Sequence, residues 1–598
     1  MAALQRPVVA LLCTSGGVQS GSQSLSSCCT GAVRDVAAVA QHGGKMCRIG
    51  ATRCDRGEEE SAPGCSGRRF EGVRVSGRDV PSDRRRFLGA IASAVVMDKV
   101  AVEERSLRVV HGNDMSEEQD VIELERDYTG TKHIPIFVML PLDAINSRNE
   151  IDDLKSLRND LNMLKKTSVD GVMVDCWWGL VEAKGPKVYD WSGYKNLFEI
   201  VRELQLKLQV VMSFHQCGGN VGDDTFIPLP QWVREVGKEN PDIFFTNRKN
   251  KRNPECLTWG VDEEPVLRGR TGLEVYRDFM ENFRQEMTEF FHDGTIVEIE
   301  VGLGPCGELR YPSYPETQGW VYPGIGEFQC YDKYLLKGLK EVAEAQGHKG
   351  WGKPPSNTGS YNSKPQYTEF FRDGGDYDSY YGRFFLGWYS KTLIEHGDRV
   401  LSIAITVFSG TKIAAKISGI HWWYQTASHA AELTCGYYNT SFRDGYSSIA
   451  QMFAKHKATF NFTCVELLTS EQNKYHPEAM ADPEGLVQQV FKSVWGAGVS
   501  VASENALACY DRRGYNKILE NAKPRIDSER NVVSFTYLRL NPELMEHDNY
   551  LEFTRFVRRL HGKSISDLPV VMPKPKTVPK MAKKHEKVLN PLISASKM

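Results

Sequence analysis

A chain of 598 residues with 74 basic and 76 acidic side chains, formal charge −2, is not composed as a general nucleic-acid binder. Its 41% hydrophobic and 25% charged residues are those of an ordinary globular protein, and no apolar run reaches the roughly 18–20 residues of a membrane-spanning helix. Six of the 14 cysteines fall in residues 1–65 and eight are scattered from Cys176 to Cys509 without a CxxC pair, so neither a zinc-ligand spacing nor a secreted disulfide framework is present and a reducing compartment fits best.

The first 34 residues contain no Asp or Glu, carry Arg6 and Arg34, and are rich in Ser, Thr, Ala and Gly. This is a transit-peptide composition, and the serine content favours the chloroplast, with the stroma as destination. Disorder is expected to about residue 125. A Pro- and Lys-rich stretch from 566 to the end reads as a solvated tail. The ordered body is therefore 126–565, between a leader (1–125) and a tail (566–598).

Eight runs of strand character follow in that body, at 134–142, 169–179, 208–215, 295–304, 415–423, 459–467, 498–505 and 533–540. Helical patterns such as 194–205 and 331–347 separate them. Near-continuous apolar strands alternating with helices predict a parallel sheet covered on both faces. Eight units predict an α/β fold of the (β/α)₈ TIM-barrel type, with the active site at the C-terminal strand ends. Long connections after the third and fourth strands predict elaborate loops on one side of that mouth.

Polar residues gather at those ends. The second strand ends at Asp175 with Trp177 and Trp178. The third ends at His215, followed by "QCGGNVGDD", which reads as a hinged loop carrying Asp223. The fourth leads into "GPCGELRYPSYP" with Glu308. The fifth holds Lys416 and runs to "HWWY", beginning at His421. The seventh ends in "SENA" with Glu504 and the eighth in "YLRL" with Arg539. Glu298 and Glu300, on one face of the fourth strand, are expected inside the barrel as structural groups.

Two carboxylates from strands on opposite sides of a barrel suit glycoside hydrolysis: one protonates the leaving oxygen, the other acts as base or nucleophile. The other barrel chemistries lack their marks. No HxH pair, GxSxG elbow or GxxxxGK[ST] loop occurs. An acid must hold its proton near neutral pH, which a stiff aromatic surround such as that of Glu308 favours by desolvation.

Taken together, "SFHQCGGNVGD", "GPCGELRYPSYP", "SGIHWWY", "HAAELTCGYYN" and "SENALACYD" resemble the β-amylases, plant chloroplast members above all, over about residues 130–562. The resemblance implies an inverting exo-hydrolase that releases β-maltose from the non-reducing ends of starch-type α-1,4-glucans. It implies Glu308 as general acid and Glu504 as general base, with carboxyls roughly 6.5–9.5 Å apart. It further implies that Asp175 and His215 hold the terminal glucose, that Asp223 arrives with a mobile loop, and that Lys416 and His421 line the sugar subsites. Thr434 would support the transition state and help seat Glu308. Asn505, Ala506 and Arg539 would complete the sugar contacts, with Arg310 and Trp422 behind them. No cofactor and no catalytic metal are implied, and the partner is the glucan, with neither nucleic acid nor membrane. One departure stands out: Ala508-Cys509 occupies the place of a Pro-Arg pair common in such proteins. The runner-up reading is a catalytically weak, maltodextrin-binding regulator. Cys217 and Cys435, in the two loops that would close on substrate, are read first as small buried side chains and second as thiols whose modification blocks closure.

Overall fold

The computed structural model describes residues 125–220, 222–525 and 529–569. The leader and tail lie outside these residues, apart from Glu125 and 566–569. All eight expected strands form, and they close into one parallel barrel. In chain order the strands are β1 (Ile136–Met139), β2 (Gly171–Trp177), β3 (Lys207–Ser213), then a two-stranded hairpin of β4 (Phe244–Thr246) and β5 (Arg252–Leu257), then β6 (Ile296–Val301), β7 (Lys412–Ile417), β8 (Thr459–Phe462), β9 (Val501–Glu504) and β10 (Phe535–Tyr537). Around the barrel each strand pairs with its neighbour in sequence, the hairpin apart, and β10 closes on β1. That is the order produced by repeated right-handed β–helix–β crossovers.

Two expectations need adjusting. The hairpin β4–β5 was not anticipated; its short runs lie inside the long connection after β3 and read as loop. The fifth barrel strand starts earlier than expected, at Lys412, and ends at Ile417. The apolar "IHWW" that suggested a longer strand instead packs in the loop above it, where Trp422 Nε1 donates to the Gly324 carbonyl at 3.0 Å. The expected helices form as Ser192–Glu203 and Lys333–Ala345.

Alternation along each strand separates two cores. Outward residues such as Val172, Val174, Val210, Met212 and Ile299 join the large core shared with the surrounding helices. Inward, Met139, Met173 and Val211 form a small separate cluster packed by Leu538. Polar residues occupy other inward positions: Gln209 Nε2 donates to Glu298 Oε1 at 2.8 Å, and Thr536 Oγ1 lies 3.3 Å from Gln209 Oε1.

The N-terminal end of the barrel is sealed by the segment before β1. Gly130 N and Ile134 N donate to the carbonyls of Gly562 and Leu560, at the end of the last helix, His547–Leu560. At the other end the connections are long, from Ser213 to Ile296 and from Val301 to Lys412, and they build the walls of the mouth.

Candidate active site

Glu308 sits just past β6, where a 3₁₀ turn (Pro305–Gly307) re-aims the chain. Cys306 (φ 53°) and Gly307 (φ 75°) both lie in the left-handed region, which costs a non-glycine residue and favours glycine. Gly304 meets a different demand. A Cβ there would come within 2.7 Å of the Glu308 carbonyl and 2.9 Å of the Arg310 carbonyl. The turn folds back tightly enough for Glu308 to bridge Lys416 of β7 as a parallel strand pair. The glycines and prolines that crowd this stretch are thus what a sharply aimed side chain requires.

The surround of Glu308 is not simply aromatic. Arg310 is buried and its Nε donates to Glu308 Oε2 at 2.6 Å. Its guanidinium stacks 4.2 Å from the centre of the Tyr314 ring. Tyr311 points away into the packing, stacked on Tyr389 at 3.7 Å. The expected apolar pocket is therefore an arginine-gated one, in which a charge-assisted hydrogen bond fixes the carboxyl's orientation.

Glu504 ends β9, three strands around the barrel from β6. Lys416 Nζ donates to Glu504 Oε1 at 2.9 Å and stands 3.6 Å from Glu300 Oε1. Asn461 of β8 donates to Glu300 Oε2 at 2.7 Å and reaches Glu504 Oε2 at 3.4 Å. All four side chains are buried. Burial works against the Lys416 charge, yet the Glu504 and Glu300 carboxylates hold its pKa above the usual lysine value. Burial, opposed by Lys416 and reinforced by Glu504, raises the Glu300 pKa. Two carboxyls sharing one ammonium is a stable arrangement when one is readily protonated.

Asp175 and His215 lie beside this network. Ser213 Oγ donates to Asp175 Oδ1 at 2.7 Å. Burial raises the Asp175 pKa, with Arg539 acting against it. The His215 pKa is pushed down to about 3, first by burial and then by Lys416 and Arg310. His215 is thus a neutral ring at ordinary pH, edge-on to Trp177, and its Nδ1 is buried without a protein partner among the described residues. A neutral imidazole with a free nitrogen is suited to a sugar hydroxyl.

Other expected residues are placed differently. Asp223 is tied to its own loop: its Oδ2 accepts from the backbone N–H groups of Gly218, Gly219 and Asn220 at 2.9–3.0 Å. His421 stands past the end of β7, its Nδ1 3.1 Å from the Gly419 carbonyl, and burial lowers its pKa to about 4. Thr434 lies in the helix Ala430–Cys435, and its hydroxyl is spent on the carbonyls of Ile325 and Ala431. That helix braces the stretch after Glu308, because Tyr311 N donates to the Cys435 carbonyl at 3.0 Å. The Asn505 side chain is likewise engaged with backbone. It bonds the carbonyls of Leu507 and Leu538 and accepts from Leu538 N at 2.9 Å. Ala506 N donates to Glu466, and Arg539 reaches the Leu140 carbonyl at 3.0 Å.

Three buried residues that carry the site escaped the sequence reading as such. Asn461 links Glu300 to Glu504. Glu466 accepts from Ala506 N and Leu507 N, anchoring the loop after Glu504; burial pushes its pKa to about 7. Glu255 accepts from Asn220 Nδ2 at 2.8 Å and Cys306 N at 3.2 Å, joining the Asp223 loop to the Glu308 turn. A signal existed for Asn461, a polar residue at an inward position between Phe460 and Phe462; none marked the other two. Cys217 and Cys435 are buried, and burial raises both thiol pKa values, that of Cys435 to about 12, which leaves little reactive thiolate. Cys509, at the departure noted above, is buried under Gly514, and Tyr537 donates to its carbonyl.

Two carboxyls at one mouth, each oriented by a cation, with a neutral histidine and a buried aspartate beside them, can perform acid–base hydrolysis. The comparisons agree. Residues 137–566 match glycosyl hydrolase family 14. The chain is 64% identical over 445 residues to β-amylase 2, chloroplastic, of Arabidopsis thaliana, covering 74% of this chain and 82% of that protein. It is 52% identical over 458 residues to β-amylase Tri a 17 of Triticum aestivum, covering 75% of this chain and 90% of that protein. Its fold is similar to the catalytic domain of β-amylase from Paenibacillus polymyxa, with a TM-score of 0.59 and 31% identity over 71% of this chain and 98% of that one. With the barrel, the mouth and these relatives in view, the chain belongs to glycosyl hydrolase family 14, the family of the β-amylases.

Proposed function

We propose that this protein hydrolyses α-1,4-glucosidic bonds of starch-type glucans from their non-reducing ends and releases β-maltose, with Glu308 as general acid and Glu504 as general base. The observation that carries this reading is the pair of differently held carboxyls. Arg310 orients Glu308, and Lys416, itself held charged by two carboxylates, orients Glu504. Glu308 donates its proton to the leaving glycosidic oxygen. Glu504 draws a proton from water, which attacks the anomeric carbon from the opposite face. Asp175 and His215 hold hydroxyls of the terminal glucose. Lys416, His421 and Arg539 border the sugar, and the backbone around Asn505 and Ala506 is kept in place by Glu466 and by the Asn505 side chain. Asp223 reaches substrate when its loop moves and its contacts to Gly218, Gly219 and Asn220 break.

A chloroplast setting is supported by the leader's composition and by the name of the Arabidopsis relative. No helix among the described residues is long and apolar enough to cross a membrane.

The test is product analysis on soluble starch, following the anomeric configuration by NMR. Maltose released as the β-anomer, and lost in both Glu308→Gln and Glu504→Gln, is the expected result. Release of the α-anomer, or full activity in Glu308→Gln, would sink the assignment. Maltose bound without turnover would instead favour the regulator reading.

A further inference from the structure

The opposite end of the barrel holds a second cluster of chemically capable side chains that hydrolysis does not use. His133 lies just before β1, Asp170 just before β2, and His561 caps the last helix. His133 Nε2 is 3.2 Å from Asp170 Oδ1, and His561 Nε2 is 2.9 Å from Asp170 Oδ2. The two imidazoles stack, with centroids 4.1 Å apart and planes 25° apart, and so present both Nε2 atoms to one carboxylate. The three donor atoms lie within 4.8 Å of one another.

We propose that His133, Asp170 and His561 form a binding site for a divalent transition-metal cation of the zinc class, which staples the segment before β1 to the last helix. Two imidazole nitrogens and one carboxylate oxygen are a donor set that such ions favour over magnesium or calcium. The spacing is close to what is needed. Bonds of about 2.0–2.1 Å to a tetrahedral ion put neighbouring donors roughly 3.3 Å apart; His561 Nε2 is 2.9 Å from Asp170 Oδ2 and His133 Nε2 is 3.2 Å from Oδ1, so the half-exposed His133 ring turns modestly to share one ion with His561. The site is pre-positioned on one side and accessible on the other. The His561 side chain is 1% exposed, and the Asp170 Oδ2 is fixed by the Ile136 N–H at 2.8 Å. The His133 side chain is 47% exposed, which gives an ion access and leaves a fourth position to water.

As a plain ion-pair cluster the arrangement is frustrated. One carboxylate faces two rings, and if both carry a proton they are stacked cations. A single ion satisfies all three donors around one centre of charge. Lys563 lies near enough to oppose positive charge on His133. Position excludes a catalytic role, because the N-terminal face of such a barrel serves stability and the reaction belongs to the other end. The consequence is linkage: an ion that binds only the folded chain raises its stability in proportion to the logarithm of its concentration.

The experiment uses the full-length chain, stripped with EDTA and titrated with zinc chloride by calorimetry, with parallel thermal melts. Wild type is compared with His133→Ala and with Asp170→Asn. Other zinc-binding groups, the cysteines included, are common to all three proteins and cancel. His133 is half exposed, so His133→Ala keeps the fold, and its hydrolytic rate without zinc stays at the wild-type value. The expected result is one fewer equivalent of zinc bound at micromolar concentration in each variant, and a zinc-induced rise in Tm that is present in wild type and lost in His133→Ala. Equal stoichiometry and equal zinc-induced shifts in wild type and His133→Ala would overturn the proposal and leave a hydrogen-bonded His–Asp–His cluster.

Discussion

The two ends of the barrel are built from the same strands with the same alternation, yet at one the buried polar groups form a connected ionic network and at the other a small local cluster. At the mouth, inward positions carry Asp175, Glu300, Lys416, Asn461 and Glu504. Some of their polar atoms are left over: His215 Nδ1 and Asn461 Oδ1 are buried without protein partners among the described residues. At the N-terminal end, Asp170 engages two histidines and a backbone N–H, while His561 Nδ1 is buried without a protein partner among the described residues. A buried polar group left unpaired costs about 1–3 kcal/mol. A chain tolerates that where a ligand completes the bonds.

The largest effect should come from breaking the acid–base pair. Glu308→Gln and Glu504→Gln are each expected to lower maltose release by about 10²–10⁴-fold, the usual worth of a positioned proton donor or acceptor. Glu504→Gln should melt near wild type, since Glu300 still faces Lys416, whereas Glu308→Gln leaves the buried Arg310 guanidinium without its carboxylate and should melt lower. The double variant should be little worse than either single one, because the two groups act in one step. A thermal melt beside each assay separates lost chemistry from lost fold.

Next in size is Lys416→Met. It leaves Glu504 and Glu300 facing each other without the ammonium that both approach, and removing one partner from a buried ionic cluster costs about 3–5 kcal/mol. Urea unfolding is expected to show that loss near neutral pH and less of it near pH 4, where a carboxyl can take up a proton. Wild-type stability at pH 7 would contradict the account of the mouth as a charge-balanced network. Asn505→Ala should be milder. It frees Leu538 N and two carbonyls, worth about 1–3 kcal/mol together. Activity should fall with it, because Ala506 and Arg539 lie on the segments that Asn505 ties.

Much of this was legible from the residues. Eight apolar runs, six of them with a charged residue or histidine near the end, are enough for a barrel and a mouth, because strand period and strand polarity are local properties. Glu308 announced itself through the glycines its turn needs. What stayed hidden depends on contacts distant in sequence. Arg310 looked like a neighbour of Glu308, and only the fold turns it into that residue's ion-pair partner. Thr434 sat in a motif that implied support for the transition state and for Glu308, and the fold shows its hydroxyl on the carbonyls of Ile325 and Ala431. Glu255 and Glu466 come from unremarkable stretches, and their work as anchors is visible only once the loops they tie are in place. His133 and Asp170 are 37 positions apart and His561 lies 391 beyond Asp170, and closing the barrel is what brings them together.

The smallest effect tests the barrel interior between the two ends. Glu298 of β6 faces Gln209 and is buried, and burial, reinforced by Glu300, pushes its pKa to about 7. In the unfolded chain the same group titrates near its ordinary value of about 4.3. The folded state therefore holds a proton that the unfolded state has released across the window from about 4.3 to 7. Stability from this group is full below that window and is lost as pH rises through it. Glu298→Gln removes the titration while keeping an oxygen for the Gln209 amide. It should match wild type near pH 4.5 and exceed it at pH 8 by on the order of 1–3 kcal/mol, measured as urea midpoints at the two pH values. A variant no more stable than wild type at pH 8 would mean that the charged carboxylate is accommodated inside the barrel, by Lys412 across the strand pair or by water. The interior would then be polar along its full length, and the contrast between its ends would be one of degree.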